Sequence, residues 1–144
     1  MAEERAGKVR EYEAAGISVS FDSARCIHVG NCVSGLPEVF DPKARPWVRP
    51  DRAAADRIAE LVMRCPTGAL HFRRLDGGAD EAVPKATTMR QITNGPLYVR
   101  GDVEVQNETG EVIRRDTRLA LCRCGHSANK PFCDGSHRTA GFQG

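Results

Sequence analysis

Apolar and polar residues alternate over residues 17–21 (Ile-Ser-Val-Ser-Phe), the period of a half-buried strand. Residues 26–32 contain Gly30 and no periodicity, and read as a loop. Pro50 and Asp51 mark a helix start. Ala54, Ile58, Leu61, Val62 and Cys65 then recur at helical spacing, which predicts one apolar stripe with Cys65 on it. Pro66 and Gly68 stop that helix, and residues 69–73 form a short return strand. Strand, loop, helix, strand describes a small α+β unit. Residues 76–91 carry Asp76-Gly77-Gly78-Ala79-Asp80-Glu81 and Pro84 without periodicity, and read as a linker. Strands follow at 97–100 and 103–105, a turn at 107–110, and further strand at 112–113 and 119–121. Beyond Cys122 the chain is rich in glycine and cysteine and poor in apolar residues. That tail cannot bury a core alone, so a cofactor is expected to organise it.

The 144 residues suffice for one ordinary domain or two small ones. A net charge of +2 is too mild to argue for nucleic acid. The densest basic stretch, Lys43, Arg45, Arg49 and Arg52, reads as a solvated loop, with a docking patch for an acidic partner as the alternative. No apolar run is long enough to span a membrane. The start at Met1 to Arg5 leads into no secretory apolar run, so a cytoplasmic location with reduced thiols is expected. Clustered cysteines in that setting are metal ligands or catalytic groups more often than disulfides.

The six cysteines fall into two groups, 26, 32, 65 and 122, 124, 133. The second lies in CRCGHSANKPFCDGSH, residues 122–137, with His137 as a fourth donor. Tetrahedral zinc usually takes knuckles of Cys-x2–4-Cys, and Cys-x-Cys is tighter. On a strand, Cys122 and Cys124 would project the same way and suit one iron of a binuclear cluster. Cys133 and His137, four residues apart, suit the second iron from one turn of helix capped by Asp134. Zinc remains the alternative.

This stretch resembles the CDGSH-type iron–sulfur family. Its pattern is filled by Cys122, Cys124, Ser127, Pro131, Cys133, Asp134, Gly135, Ser136 and His137. The resemblance covers roughly residues 90–144. It implies a [2Fe–2S] cluster held by three Cys and His137, with Nδ1 on iron and Nε2 facing solvent. Two His ligands lift the potential to about −150 to +300 mV from roughly −400 mV for four thiolates, so one His is expected to fall between. Acid that protonates His137 is expected to release the cluster; a cluster lifetime independent of pH between mildly acid and neutral would contradict this. His126, beside the ligands, reads as surface.

The first group resembles a single-cluster ferredoxin in which the middle thiolate position of C-x2-C-x2-C is vacant. Cys26 and Cys32 fill the outer positions, Val29 the middle one, and Cys65-Pro66 the distant one. Three thiolates suit the three irons of a [3Fe–4S] cluster, which is the favoured reading. His28 is the candidate extra ligand that would permit [4Fe–4S] instead. Cys26, His28, Gly30, Cys32, Leu36-Pro37, Val39-Phe40, Arg45-Pro46-Trp47, Cys65-Pro66 and Gly68-Ala69-Leu70 resemble the divergent [4Fe–4S] mono-cluster family. They also resemble ferredoxins that serve haem monooxygenases. Trp47 reads as core packing beside the cluster loop.

Together the resemblances imply an α+β chain: a mono-cluster ferredoxin-like domain at 10–74, a linker at 75–91 and a small β-rich CDGSH domain at 92–144. The expected function is electron transfer between a reductase and an oxidoreductase partner such as a haem monooxygenase. No nucleotide-binding glycine motif and no set of residues built to transform an organic substrate is present, so the chain is not expected to be an enzyme. The rival reading is a cluster donor or redox/iron sensor, motivated by the single His ligand. A zinc-stapled adaptor is the third.

Overall fold

The computed structural model describes residues 9–144. The charged stretch at the start, on which the expectation of no secretory signal rests, lies outside the described residues. No helix among those described is long and apolar enough to cross a membrane.

Two three-stranded antiparallel sheets carry the chain. The first is ordered β1 (Val9–Glu13), β2 (Ile17–Asp22), β3 (Leu70–Arg74), with β2 in the middle. The alternation along β2 is one of residue type: Ile17 and Val19 are buried in the core, and Ser18 between them is buried as well. Strand β1 is an edge with mostly exposed residues, so no alternation announces it. Helix α2 (Ala55–Val62) packs on the sheet, and helix α1 (Asn31–Gly35) packs against α2. Ile58, Leu61 and Val62 of α2 meet Ile17, Val19, Leu36, Val39, Phe40, Val48 and Leu70 in one core. A Cβ at Gly35 would stand 2.7 Å from Leu61 Cδ1, so glycine permits the approach of α1 to α2.

The helix expected from residue 50 is broken. Pro50–Arg52 is one turn of 3-10 helix, Ala53 and Ala54 are extended, and α2 begins at Ala55. It stops at Val62, so Cys65 lies past its end rather than on its stripe. Bonds from Arg64 N to Leu61 O (3.0 Å) and Cys65 N to Val62 O (3.0 Å) tighten the chain there and turn the cysteine off the axis.

The second sheet is ordered β4 (Thr88–Gln91), β5 (Leu97–Gln106), β6 (Val112–Leu121). Strand β4 falls inside the stretch expected to be linker; all four of its residues are exposed, which leaves no pattern. Strands β5 and β6 are each ten residues, read in pieces from sequence because register shifts between Arg100 and Val103 and between Val105 and Gln106 interrupt the alternation. Their turn is as expected: Asn107 Oδ1 accepts from Thr109 N and Glu111 N, and Gly110 supplies φ +89°.

The halves are joined by a buried polar core. Arg118, 1% exposed, donates to the carbonyls of Val62 (2.7 Å), Cys65 (2.9 Å) and Leu70 (2.8 Å) and pairs with Glu81. Glu81 belongs to the stretch expected to be a free linker, yet it also accepts from Phe72 N (3.0 Å) and contacts His71 Nδ1 (2.8 Å). His71 Nε2 faces Asp116 of β6 at 3.1 Å. Gly68 sits where the halves touch, at φ +73°; a Cβ there would lie 2.5 Å from Arg118 O and 2.7 Å from Asp116 Oδ2. A Gly68→Ala variant is expected to lose about 2–3 kcal/mol from strain and overpacking, read as a fall in urea midpoint.

His71 makes this junction sensitive to pH. Burial pulls its pKa down, but the hydrogen bonds to Asp116 and Glu81 outweigh that and lift it to about 9 from 6.5. The protonated ring therefore stabilises the fold fully below the unfolded value and loses that contribution as pH rises through about 9. With the side chain 29% exposed, the loss is expected to be about 1–2 kcal/mol. The melting temperature of the wild type should fall between pH 6.5 and 9 more steeply than that of His71→Gln. Parallel curves would remove His71 from the account.

Candidate metal centres

The C-terminal donors come from two segments that backbone bonds hold side by side. Cys122 N donates to Pro131 O (2.8 Å) and Cys133 N to Ala120 O (2.8 Å). Cys122 and Cys124 follow the end of β6 and lie in a bend, not on a strand as expected. Their sulfurs converge all the same, 3.8 Å apart. Cys133 precedes α3 (Ser136–Ala140), which carries His137; the pair is therefore not both on one helical turn. Gly135, at φ +89°, makes the corner between them. His137 Nδ1 lies 3.5 Å from Cys133 Sγ. Asp134 Oδ1 accepts from Ser136 N (3.0 Å) and Oδ2 from Ala128 N (2.9 Å), so it ties the corner to the Cys124 loop rather than occupying the cap position itself. Ser127 Oγ donates to Phe132 O (2.6 Å) and accepts from Asn129 N (3.0 Å).

These distances match pairs of ligands on tetrahedral metals. Two thiolates about 2.3 Å from one metal sit about 3.8 Å apart, and a thiolate with an imidazole nitrogen about 3.5 Å apart. Among the described residues no three His, Cys, Asp or Glu side chains converge on a single ion position. Each pair, Cys122 with Cys124 and Cys133 with His137, is thus spaced as two ligands of one metal.

The electrostatics favour the ligating form at Cys122 and His137 and oppose it at Cys133. Burial raises the Cys122 thiol, but N–H groups of Ser127 and Gly125 together with Cys124 outweigh it and bring the pKa below its ordinary value. Cys133 stays raised, chiefly by burial, although Gly135 N donates to its sulfur at 3.4 Å. His137 is lowered by burial and by the Arg138 charge, which keeps the ring neutral as a metal ligand requires. His126 is exposed, as expected; its backbone N–H donates to Cys124 Sγ at 3.4 Å.

The N-terminal donors line one apolar cradle. Cys26, Cys32 and Cys65 share it with Phe21, Trp47 and Leu61, and His28 lies on its wall. Cys26 sits on the loop after β2, Cys32 in the first turn of α1 and Cys65 beyond α2. Burial raises the thiols of Cys26 and Cys32, and each also feels the negative charge of Cys65, so the three thiolates need cations to coexist. His28, exposed and at φ +58°, donates its backbone N–H to Cys26 Sγ (3.4 Å) and holds Nδ1 3.9 Å from the same sulfur. Trp47 packs edge-on to Phe21 at 4.9 Å, in the core role expected of it.

The sites lie close together. Ile27, next to Cys26, is buried with Cys133 and Ala120, and its carbonyl accepts from Arg138 Nη1 at 2.6 Å. Asn129 Nδ2 donates to Ala24 O (3.2 Å), and the Arg25 guanidinium lies 3.9 Å from the Phe132 ring. Sequence reasoning missed Arg25, Ile27, Arg118, Asn129 and Arg138. Only spatial proximity reveals them, because their partners are about 40 to 110 positions away.

Both halves are iron–sulfur domains. Residues 12–75 match the family described as divergent 4Fe-4S mono-cluster, and residues 94–138 match the iron-binding zinc finger CDGSH type. The uncharacterized protein YjdI of Escherichia coli K12 is 39% identical over 67 residues, which make up 46% of this chain and 88% of YjdI. YjdI of Escherichia coli O157:H7 matches with the same figures. The chain belongs to the divergent 4Fe-4S mono-cluster family and carries a CDGSH module behind that domain.

Proposed function

We propose that the chain is an electron carrier with two iron–sulfur clusters. Cys122, Cys124, Cys133 and His137 would hold a [2Fe–2S] cluster, and Cys26, Cys32 and Cys65 a cuboidal one. The observation that carries the reading is the paired geometry of 3.8 and 3.5 Å at the first site, beside a three-thiol cradle at the second. The clusters would supply one-electron chemistry; the protein supplies ligands, N–H donors to sulfur and an apolar wall. Three thiolates complete a [3Fe–4S] cluster. His28, on the cradle wall, is the donor available to a fourth iron, and its engagement would give [4Fe–4S].

The electron donor would be a separate reductase and the acceptor an oxidoreductase such as a haem monooxygenase. Transfer rather than delivery of a cluster is favoured by the junction, in which Arg138 and Asn129 tie the cluster loops to each other. The test is repeated chemical reduction and air oxidation of the purified protein with excess apo-ferredoxin present. Retained iron and reversible bleaching over many cycles support a carrier. Irreversible movement of colour to the acceptor supports the donor reading instead.

A further inference from the structure

Between the two halves lies a cleft that shares no cysteine with either cluster site. Its volume is about 300 Å³. Arg64 comes from the segment after α2, Arg90 from β4 and Arg100 from β5, so three strands of chain each bring one guanidinium to it. Thr88 and Asn31 add a hydroxyl and an amide, and the buried Arg118 also reaches the lining. No carboxylate lines it among the described residues. Outside the lining, Glu81 pairs with the buried Arg118, and Glu60 meets Arg64 at 3.3 Å with both side chains largely exposed, a weak competitor. Arg100 Nη2 donates to Met63 O at 2.9 Å, which anchors that guanidinium at the wall with other N–H groups to spare. Arg90 is held in β4 opposite Tyr98 through its backbone, and its guanidinium makes no hydrogen bond or ion pair among the described residues. Its charge is opposed by nothing in the lining and does no visible structural work.

We propose that this cleft binds a phosphate group, either free or carried on a small organic molecule. Planar guanidiniums match the oxygens of phosphate in bidentate fashion, and several around one concavity reinforce each other. The volume stands at the lower edge of small-molecule sites, more than a bare oxyanion needs. Tyr98, Pro66 and Val29 give the cleft an apolar side against which an organic body can lie. Because the lining joins residues 29–66 to residues 88–118, the ligand would contact both halves of the chain. The inference does not rest on the identity of either cluster.

Calorimetric titration of the cluster-loaded protein at low ionic strength tests it, with inorganic phosphate and phenyl phosphate as probes. Saturable one-to-one binding is expected for at least one of them. Arg90→Ala should weaken it at least about tenfold, with visible absorbance and melting temperature unchanged. Thr88→Asp, which places a carboxylate in the lining, should abolish it. Arg57→Ala, whose side chain pairs with Glu38 on the surface, should leave it intact. Tighter binding of phenyl phosphate supports a phosphorylated organic ligand; equal affinity supports free phosphate. No saturable heat with either probe overturns the proposal, as does binding that survives both Arg90→Ala and Thr88→Asp within twofold.

Discussion

Replacing Arg118 by Met is expected to destabilise the protein by about 3–5 kcal/mol, the largest effect of any single substitution considered. The guanidinium is 1% exposed, and it supplies the hydrogen bonds of three carbonyls as well as the counter-charge of Glu81. Methionine has similar bulk but no donor, so those carbonyls and a carboxylate would be left in a dry junction. Two of the carbonyls, Val62 and Cys65, belong to the turn that presents the Cys65 thiol. The loss should therefore appear twice: as a lower urea midpoint, and as weakened retention of iron at the N-terminal site before the C-terminal one. A change below about 1 kcal/mol would mean that water replaces the guanidinium and that the halves are not held by this network. Lysine should rescue little, because a single ammonium cannot satisfy carbonyls on different sides at once.

The second large effect concerns His137. In a His137→Cys variant a thiolate replaces a neutral ring beside Cys133, 3.5 Å from its sulfur in the parent. The extra negative charge stabilises the oxidised cluster, so the reduction potential should fall by on the order of 100 mV or more. The cluster should also survive mild acid longer, because the imidazole that acid can protonate is gone. Potentiometric titration followed by visible absorbance measures the first effect, and the rate of bleaching at mildly acid pH measures the second. An unchanged potential would take His137 out of the ligand set. The N-terminal centre serves as the internal control, since its candidate donors, Cys26, Cys32 and Cys65, are untouched and it should titrate as before.

Both predictions rest on features of unequal visibility in the sequence. The candidate donors of the C-terminal site stand out in the sequence because ligand chemistry demands particular residues at short spacing, and the close approach within each pair survives errors in the local structure. Cys122 and Cys124 do meet at 3.8 Å, although they do so from a bend and not from a strand. Strand β2 was legible because both its neighbours are sheet and one face is core. Strand β1 and strand β4 were not, because edge strands with exposed residues carry no alternation. The break at Ala53 and Ala54 was hidden because both residues favour helix by themselves; the extended backbone there is imposed by tertiary packing. The apparent linker hid the key acid of the junction. Glu81 reads as one more solvated charge until Arg118, 37 positions later, is placed beside it. Arg118 gave no warning either, since an arginine in a strand of alternating charge looks like surface.

The presence of two iron–sulfur clusters is tested most directly by electron paramagnetic resonance of anaerobically purified protein, before and after dithionite. The account predicts a signal as isolated from an oxidised [3Fe–4S] cluster, replaced on reduction by the signal of a [2Fe–2S] cluster. Silence before reduction followed by two signals after it would keep both clusters and assign the cuboidal one as [4Fe–4S], with His28 as the added ligand. Colourless protein, silent in both states, would contradict the account and leave the six cysteines and His137 as zinc ligands or free groups.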